Sequence, residues 1–227
     1  MSDVLLAIDT ATEQCSVALR YQGKIYTRST LAPREHSQKI LGFVTEVLSE
    51  AGIGLEQVDG IVCGYGPGSF TGVRIGVSVA QGLAFSHTLP VYPVCTLAAL
   101  AQQVARKHGA ATVVSAIDAR MQEVYLACYA VTATGVTELV APQMAALSDL
   151  SQAAWWPQGA LVGAGTGWQA YAAELDPNRT VNVLEDVTLP LAEDMLLLAA
   201  QTQPVPAEEL EPLYVRNEVT WQKLPGR

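Results

Sequence analysis

The sequence predicts an α/β protein of two similar lobes, each a mixed sheet with flanking helices. Two repeated patterns carry that prediction. An apolar strand ending in Asp and followed by a second strand occurs twice at the same spacing, as Ile8-Asp9 before Cys15-Ser16-Val17-Ala18 and as Ile117-Asp118 before Val124-Tyr125-Leu126-Ala127. A strand, a glycine-rich turn and a helix also occur twice, from Ile61 to Ser86 and from Leu161 to Leu175. Self-similarity of this kind is the mark of an internal duplication. The composition agrees, since 227 residues that are 50% hydrophobic and 15% charged suffice for a sizeable core and do not read as disordered.

In chain order, Val4 to Ile8 is a short apolar strand leading into Asp9-Thr10-Ala11-Thr12, and Cys15 to Tyr21 is its hairpin partner. Gly23 turns the chain into a third strand, Lys24 to Ser29. From Pro33 to Ala51 the apolar residues Ile40, Leu41, Val44, Val47 and Leu48 recur with helical period, and Gly52 closes the helix. Ile61 to Gly64 is the next strand, followed by the glycine loop and a helix from about Thr71 to Ser86. Pro90 and Pro93 bracket a short strand, and a helix runs from Leu97 to Lys107. The plan then restarts with strands at Val113 to Ile117 and Val124 to Val131. Leu161 to Gly167 repeats the strand and glycine loop before a helix from Trp168 to Leu175. Trp155-Trp156-Pro157 reads as a packed loop, Gln203 to Pro212 as an extended connector, and Leu213 to Arg216 as a returning strand-like segment. The expected division is a first lobe over residues 1–107, joined by the tail 208–227, and a smaller second lobe over 108–207.

Composition also limits function. With a net charge of −9 and no cluster of Lys or Arg, the chain is not built to neutralise phosphates and hold nucleic acid tightly on its own. Cys15, Cys63, Cys95 and Cys128 are far apart, show no metal-ligand spacing and read as reduced, buried thiols. No apolar run approaches the ~18 residues of a membrane span, and the N-terminus lacks the basic region of a signal peptide. A cytoplasmic location is expected.

The densest signal is Gly64-Tyr65-Gly66-Pro67-Gly68-Ser69-Phe70-Thr71-Gly72-Val73-Arg74-Ile75-Gly76. A strand, a glycine turn and a helix start can cradle an anion. Ser69 sits where a nucleophile elbow would place its serine, but the flanking residues do not make G-x-S-x-G, and a helix-capping role explains it better. Beyond the loop, Gly72, Gly76, Ala80 and Ala84 form a smooth stripe that lets another backbone come close. Arg74, the helix's one charge, is placed to anchor the loop or to reach a partner. Glu35 suits the positive end of the first helix, and Arg120 with Glu123 could pair across the lobes.

An Asp-ended hairpin duplicated in two lobes resembles the actin/Hsp70/sugar-kinase (ASKHA) superfamily. Within it, the strings Ile8 to Thr12 with Cys15 to Leu19, Pro33-Arg34-Glu35-His36-Ser37, the glycine window, Asp118-Ala119-Arg120 with Glu123-Val124-Tyr125, Tyr214-Val215-Arg216 and Trp221 resemble the TsaB (YeaZ) family over nearly the whole chain. The resemblance implies a two-lobed actin-like ATPase fold. It also implies a part in threonylcarbamoylation of the adenosine beside the anticodon, in tRNAs reading codons that begin with A. Members of that family act as non-catalytic partners of the larger paralogue TsaD, with the small ATPase TsaE joining the complex; tRNA is met only through the complex. On this basis the interface expected for TsaD, or for a second copy when the chain is alone, comprises Ile40, Leu41, Val44, Leu48, Gly72, Arg74, Gly76, Val79, Ala80 and Leu83.

No cofactor is expected for this chain itself. ATPases of the superfamily follow the strand-ending Asp with glycine so that the backbone can approach phosphate, whereas here Thr10-Ala11-Thr12 and Ala119-Arg120-Met121 follow. The catalytic paralogue carries two His four residues apart as metal ligands; the matching positions here are Thr96 and Leu100. A weak ATPase, or a peptidase acting on its paralogue, is the alternative.

Overall fold

The computed structural model describes residues 4–109, 111–132, 135–150, 156 and 158–215. The first half of the chain runs β1 (Leu5–Asp9), β2 (Gln14–Tyr21), β3 (Lys24–Leu31), α1 (His36–Ala51), β4 (Gly60–Gly66), α2 (Phe70–His87), β5 (Val91–Cys95) and α3 (Thr96–His108). The second half repeats that order: β6 (Thr112–Arg120), β7 (Glu123–Thr132), β8 (Gly135–Ala146), α4 (Leu147–Leu150), β9 (Leu161–Ala164), α5 (Thr166–Leu175), β10 (Val181–Val183) and α6 (Ala192–Leu198). The sheets share one topology, β3-β2-β1-β4-β5 and β8-β7-β6-β9-β10. In each, the first three strands are antiparallel and the last two join in parallel to the first. The duplication expected from the Asp-ended strands therefore extends to every strand and helix.

Strand alternation decides where each helix packs. On one face of the first sheet, Leu6, Ile8, Val17, Leu19 and Ile61 meet Ile40, Val44 and Val47 of α1 and Val73, Val77 and Ala80 of α2. On the other face, Leu5, Ala7, Ala18 and Val62 meet Met195 and Leu196 of α6. The second sheet places Val113, Ile117 and Ala127 against Leu97, Leu100 and Val104 of α3. Its outer face holds Trp168 and Leu175 of α5. The third helix of each half thus packs on the sheet of the other half. The division near residue 107 follows the repeat in the sequence, while the packing is exchanged across it.

Several boundaries differ from expectation for local reasons. Arg34 lies in the left-handed region at φ 70°, which keeps the chain out of a helix until His36. Gly52, at φ 72°, donates its N–H to the last turn of α1 and ends it as expected. Strands β8 and β10 and helix α6 lie in segments where the sequence reading placed no element. The expected returning tail is present: Val205 bridges Val91, and the Leu213 amide donates to the Tyr65 carbonyl at 2.7 Å. Leu213 to Val215 form no strand, however, and Arg216 and Trp221 lie outside the described residues. Trp156 packs edge-on against Trp168 with ring centroids 6.4 Å apart, in keeping with a packed loop; Trp155 and Pro157 also lie outside the described residues.

One ion pair ties the exchanged helices together. Arg106 near the end of α3 clasps the wholly buried Asp194 of α6 with two bonds of 2.7 and 2.9 Å, and also reaches Glu193 at 2.8 Å. Burial still holds the Asp194 carboxyl above its ordinary range despite the guanidinium beside it. The pair therefore fixes the register of the two helices more than it adds net stability. Arg106→Met strands a buried carboxyl and is expected to cost about 3 kcal/mol, whereas adding Asp194→Leu is expected to recover most of that loss. Urea unfolding of both variants checks this; equal losses in the single and double variants would contradict it.

Candidate functional site

The glycine loop begins where β4 ends at Gly66 and passes through Pro67 and Gly68 to Ser69, the N-cap of α2. Ser69 Oγ accepts from the Gly72 amide at 3.4 Å, so its hydroxyl caps the helix as expected. The turn after β1 lies directly beneath. The Ser69 amide donates to the Ala11 carbonyl at 2.7 Å, and the Thr10 hydroxyl donates to the Gly72 carbonyl at 2.7 Å. A Cβ on Gly68 would run into the Ala11 carbonyl, one on Gly72 into the Thr10 carbonyl, and one on Gly76 would lie 2.8 Å from Thr10 Oγ1. The glycines thus serve the closest approach in this region, and what approaches is the chain's own Thr10-Ala11 turn.

The second lobe repeats the device. A Cβ on Gly165 would collide with the Ala116 carbonyl within β6, and the Asp118 amide donates to Thr166 Oγ1 at 3.1 Å. In both halves, the helix launched by the glycine loop packs closely on the first strand of its sheet or the turn that follows it.

Asp9 lies below this seat and is fully buried. Its Oδ1 accepts from the Ala11 amide at 3.2 Å, while Oδ2 has no hydrogen-bond partner among the described residues. The carboxyl occupies space that a side chain at Gly64 would fill, beside the Met195 methyl from α6. Burial pushes its pKa up to about 7, against the pull of the Ala11 and Thr10 amides. The nearby thiols are held protonated by burial and by that carboxyl, Cys15 at about 11 and Cys63 higher still. His36 is also buried, and burial lowers its pKa. The two positions matching the metal ligands of the catalytic paralogue are interior: Thr96 donates to the Pro67 carbonyl at 2.5 Å, and Leu100 is fully buried. Among the described residues, no group of three or more His, Cys, Asp or Glu is placed to hold a metal ion.

The expected interface residues divide into two groups. Ile40, Val44, Leu48, Gly72, Gly76 and Ala80 face inward, in contact with the first sheet or its turn. This corrects the reading of the small-residue stripe as partner-facing, because the neighbouring backbone it admits belongs to the same lobe. Leu41 and Arg74 are exposed, and Val79 and Leu83 are half-buried. Beside them lie two residues left out of that set, Phe70 and Phe85, which are 64% and 76% exposed. Their signal was the apolar side of α2 opposite the glycines. Within the chain, the Arg74 guanidinium sits 3.5 Å from the Phe70 ring centroid and donates to the Tyr214 hydroxyl at 2.9 Å, so it ties the helix start to the C-terminal segment.

Arg120 and Glu123 face each other across the β6–β7 hairpin, so they cannot bridge the lobes. Arg120 instead reaches Glu13 of the first lobe at 3.0 Å and Asp118 at 2.8 Å. Glu35 occupies the N-cap of α1 and pairs with Lys39 at 3.2 Å. No described helix is long and apolar enough to cross a membrane.

A family model described as TsaD, tRNA N6-adenosine threonylcarbamoyltransferase, matches residues 24–176. The tRNA threonylcarbamoyladenosine biosynthesis protein TsaB of Haemophilus influenzae is 44% identical, with 98% of each chain covered. Its Escherichia coli counterpart is 44% identical over 98% of this chain and 99% of that protein. The chain belongs to the TsaB (YeaZ) family. The solved structure of YeaZ from Pseudomonas aeruginosa matches with a TM-score of 0.84 at 44% identity, covering 93% of this chain and 99% of that one. A second Pseudomonas aeruginosa structure, described as an uncharacterized protein with similarity to peptidase YEAZ, gives 0.86 at 42% identity over 94% and 100%. The match to the TsaD model is what a paralogue sharing the duplicated fold would give.

Two outcomes test this geometry. Gly72→Ala forces a Cβ onto a backbone carbonyl and is expected to destabilise the fold by about 2 kcal/mol or more, despite alanine's better helix propensity. At the exposed Gly82, where nothing lies within 4 Å, the same change should stabilise by about 1 kcal/mol. Thermal melts of the two variants should move in opposite directions. The second test concerns Asp9, whose carboxyl ionises near 3.8 when unfolded and near 7 when buried. Between those values the native state holds a proton that the unfolded chain has lost, so this group's stabilising contribution declines as pH rises through the window. The decline amounts to ~1.4 kcal/mol for each tenfold drop in proton concentration across that window. Asp9→Asn should therefore gain stability relative to the parent as pH rises from 4 to 7. A constant difference across that range would reject the buried, protonated carboxyl.

Proposed function

We propose that the chain is a non-catalytic scaffold and activator subunit in threonylcarbamoylation of the adenosine beside the anticodon, in tRNAs reading codons that begin with A. It acts through the TsaD paralogue, with the TsaE ATPase joining the complex, in the cytoplasm. The observation that carries this reading is how the glycine loop is used. Its helix start is seated on Thr10 and Ala11, in the place where an ATPase of this superfamily would keep the backbone open for phosphate. The ATP that the complex consumes is accordingly assigned to the other subunits. The names carried by relatives 44% identical over nearly the whole chain point to the same pathway. The net charge of −9 favours contact with tRNA through the complex rather than by this chain alone.

The docking face is assigned to the exposed sides of α1 and α2, with Leu41, Phe70 and Phe85 as apolar anchors and Arg74, Val79 and Leu83 beside them. Solvated aromatic side chains of this size gain free energy when a partner covers them. In isolation, the same face pairs two copies of the chain.

Reconstitution tests the role: purified TsaD and TsaE, tRNA, ATP, threonine and bicarbonate, with and without this chain. Modification should require the chain, and Ser69→Ala should leave its support within twofold. Equal modification without the chain, or ATP hydrolysis by the chain alone, would overturn the reading. For the docking face, Leu41→Glu combined with Phe85→Glu is expected to weaken binding of TsaD by at least tenfold. The melting temperature should stay near that of the parent, because both side chains are exposed. Unaltered binding in a calorimetric titration would move the interface elsewhere.

A further inference from the structure

The C-terminal segment is fixed firmly at first and loosely after that. Val205 and Val91 exchange two backbone hydrogen bonds of 2.8 and 2.9 Å, and Ala207 and Leu210 are buried in the first lobe's core. The Leu210 carbonyl accepts from Gln81 Nε2 of α2 at 2.9 Å. Beyond Leu210 the chain crosses α2 without regular structure. It is held by the Leu213 amide on the Tyr65 carbonyl and by Tyr214, whose hydroxyl accepts from Arg74. Arg74 itself lies against the Phe70 ring, with the Tyr214 ring centroid 5.7 Å from the guanidinium carbon. One arginine thus links the start of α2 to the strap through two aromatic rings.

The strap fits imperfectly. A cavity of about 50 Å³ lies between Leu213–Val215, the glycine loop and Tyr125 of the second lobe. An open surface groove of about 350 Å³ is lined by Glu208, Glu211 and Pro212 on one side and Ser78 on the other, bounded by the Arg74–Tyr214 and Gln81–Leu210 contacts. Close-packed interiors leave few gaps larger than a water molecule, and the smaller of these two spaces has the strap as a wall.

We infer that residues 211–215 are a displaceable cover on α2, latched by Arg74 between Phe70 and Tyr214, and that this cover competes with the TsaD paralogue for the outward face of the helix. The inference rests on the reading that this face docks that partner. While the latch is closed, the strap lies over the α2 side chains Arg74 and Gln81, and Arg74 is held between the Phe70 ring and the Tyr214 hydroxyl. The partner then meets only the fraction of molecules whose cover is open, and its apparent affinity is reduced by that fraction.

Full-length Tyr214→Ala and Tyr214→Phe test the latch. Tyr214 is exposed and lies outside any helix or strand, so neither variant removes a core contact. In Tyr214→Ala, the Leu213 amide should exchange with deuterium at least tenfold faster, while the Val205 amide keeps its protection. The apparent Kd for purified TsaD should fall by threefold or more, with Tyr214→Phe between the parent and the alanine variant. Unchanged Leu213 exchange would overturn the latch. Faster exchange with weaker partner binding would overturn the competition and make the strap part of the contact. Faster exchange with no TsaD binding by the parent or either variant would overturn the docking reading, and the competition with it, while leaving the latch in place.

Discussion

The rest of the molecule depends on a backbone-to-backbone seat, where the start of α2 rests on the Thr10-Ala11 turn at a distance that excludes even a methyl group at Gly68 or Gly72. Two hydrogen bonds of 2.7 Å lock that seat, one from the Ser69 amide and one from the Thr10 hydroxyl. Its consequences spread outward. The turn is held against the helix, Asp9 is shut fully buried beneath it, and Gly64 must lack a side chain to leave the carboxyl room. A carboxyl so enclosed is easier to keep neutral than charged, which is why burial outweighs the amides that would lower its pKa. The same strand, loop and helix that elsewhere hold an anion here hold a piece of their own lobe.

The exchange of third helices explains how two modest sheets make one body. Each sheet needs both faces covered, since alternate residues on its strands are apolar on each side. The first sheet receives α6, which follows the last strand of the second, while α3 crosses to the second sheet. The lobes are thereby interleaved rather than merely abutted. Arg106 and Asp194 sit where the two helices meet, and removing Arg106 leaves the Asp194 charge buried and uncompensated.

The parts of this arrangement legible in the sequence were those with a period or a punctuation mark. Asp9 and Asp118 at the ends of apolar runs, the repeated distance to the following strand, and Gly52 after a helical stripe all led to elements that exist. The glycines of α2 showed that a backbone comes close, but spacing alone does not say whose. That Thr10, sixty-two residues away, was the neighbour depends on β1 and β4 lying side by side, which no local pattern reveals. Strand β8 was hidden because its residues are half-exposed along most of its length and carry Pro142, so the alternation is blurred. Helix α6 was hidden because its seven residues are short for a periodicity test. The interlobe partner of Arg120 was misread because Glu123 is near in sequence, whereas Glu13 is near only in the fold.

The inward use of α2's small residues bears on what its outer side is for. A helix held by Gly72, Gly76 and Ala80 sits close to its sheet but buries little side chain there, so Val73 and Val77 supply much of the apolar contact. Its largest side chains, Phe70 and Phe85, point away from that contact and remain mostly in water. Burying a phenylalanine is worth ~2–3 kcal/mol, and the isolated chain forgoes most of that twice on one helix. Nothing in the stability of the lobe requires aromatic residues at those positions, since exposed sites on a helix are served as well by Glu or Lys. The described part of the strap, up to Val215, reaches Phe70 through Arg74, so the start of α2 is tied to the C-terminal segment while Phe85 stands 76% exposed.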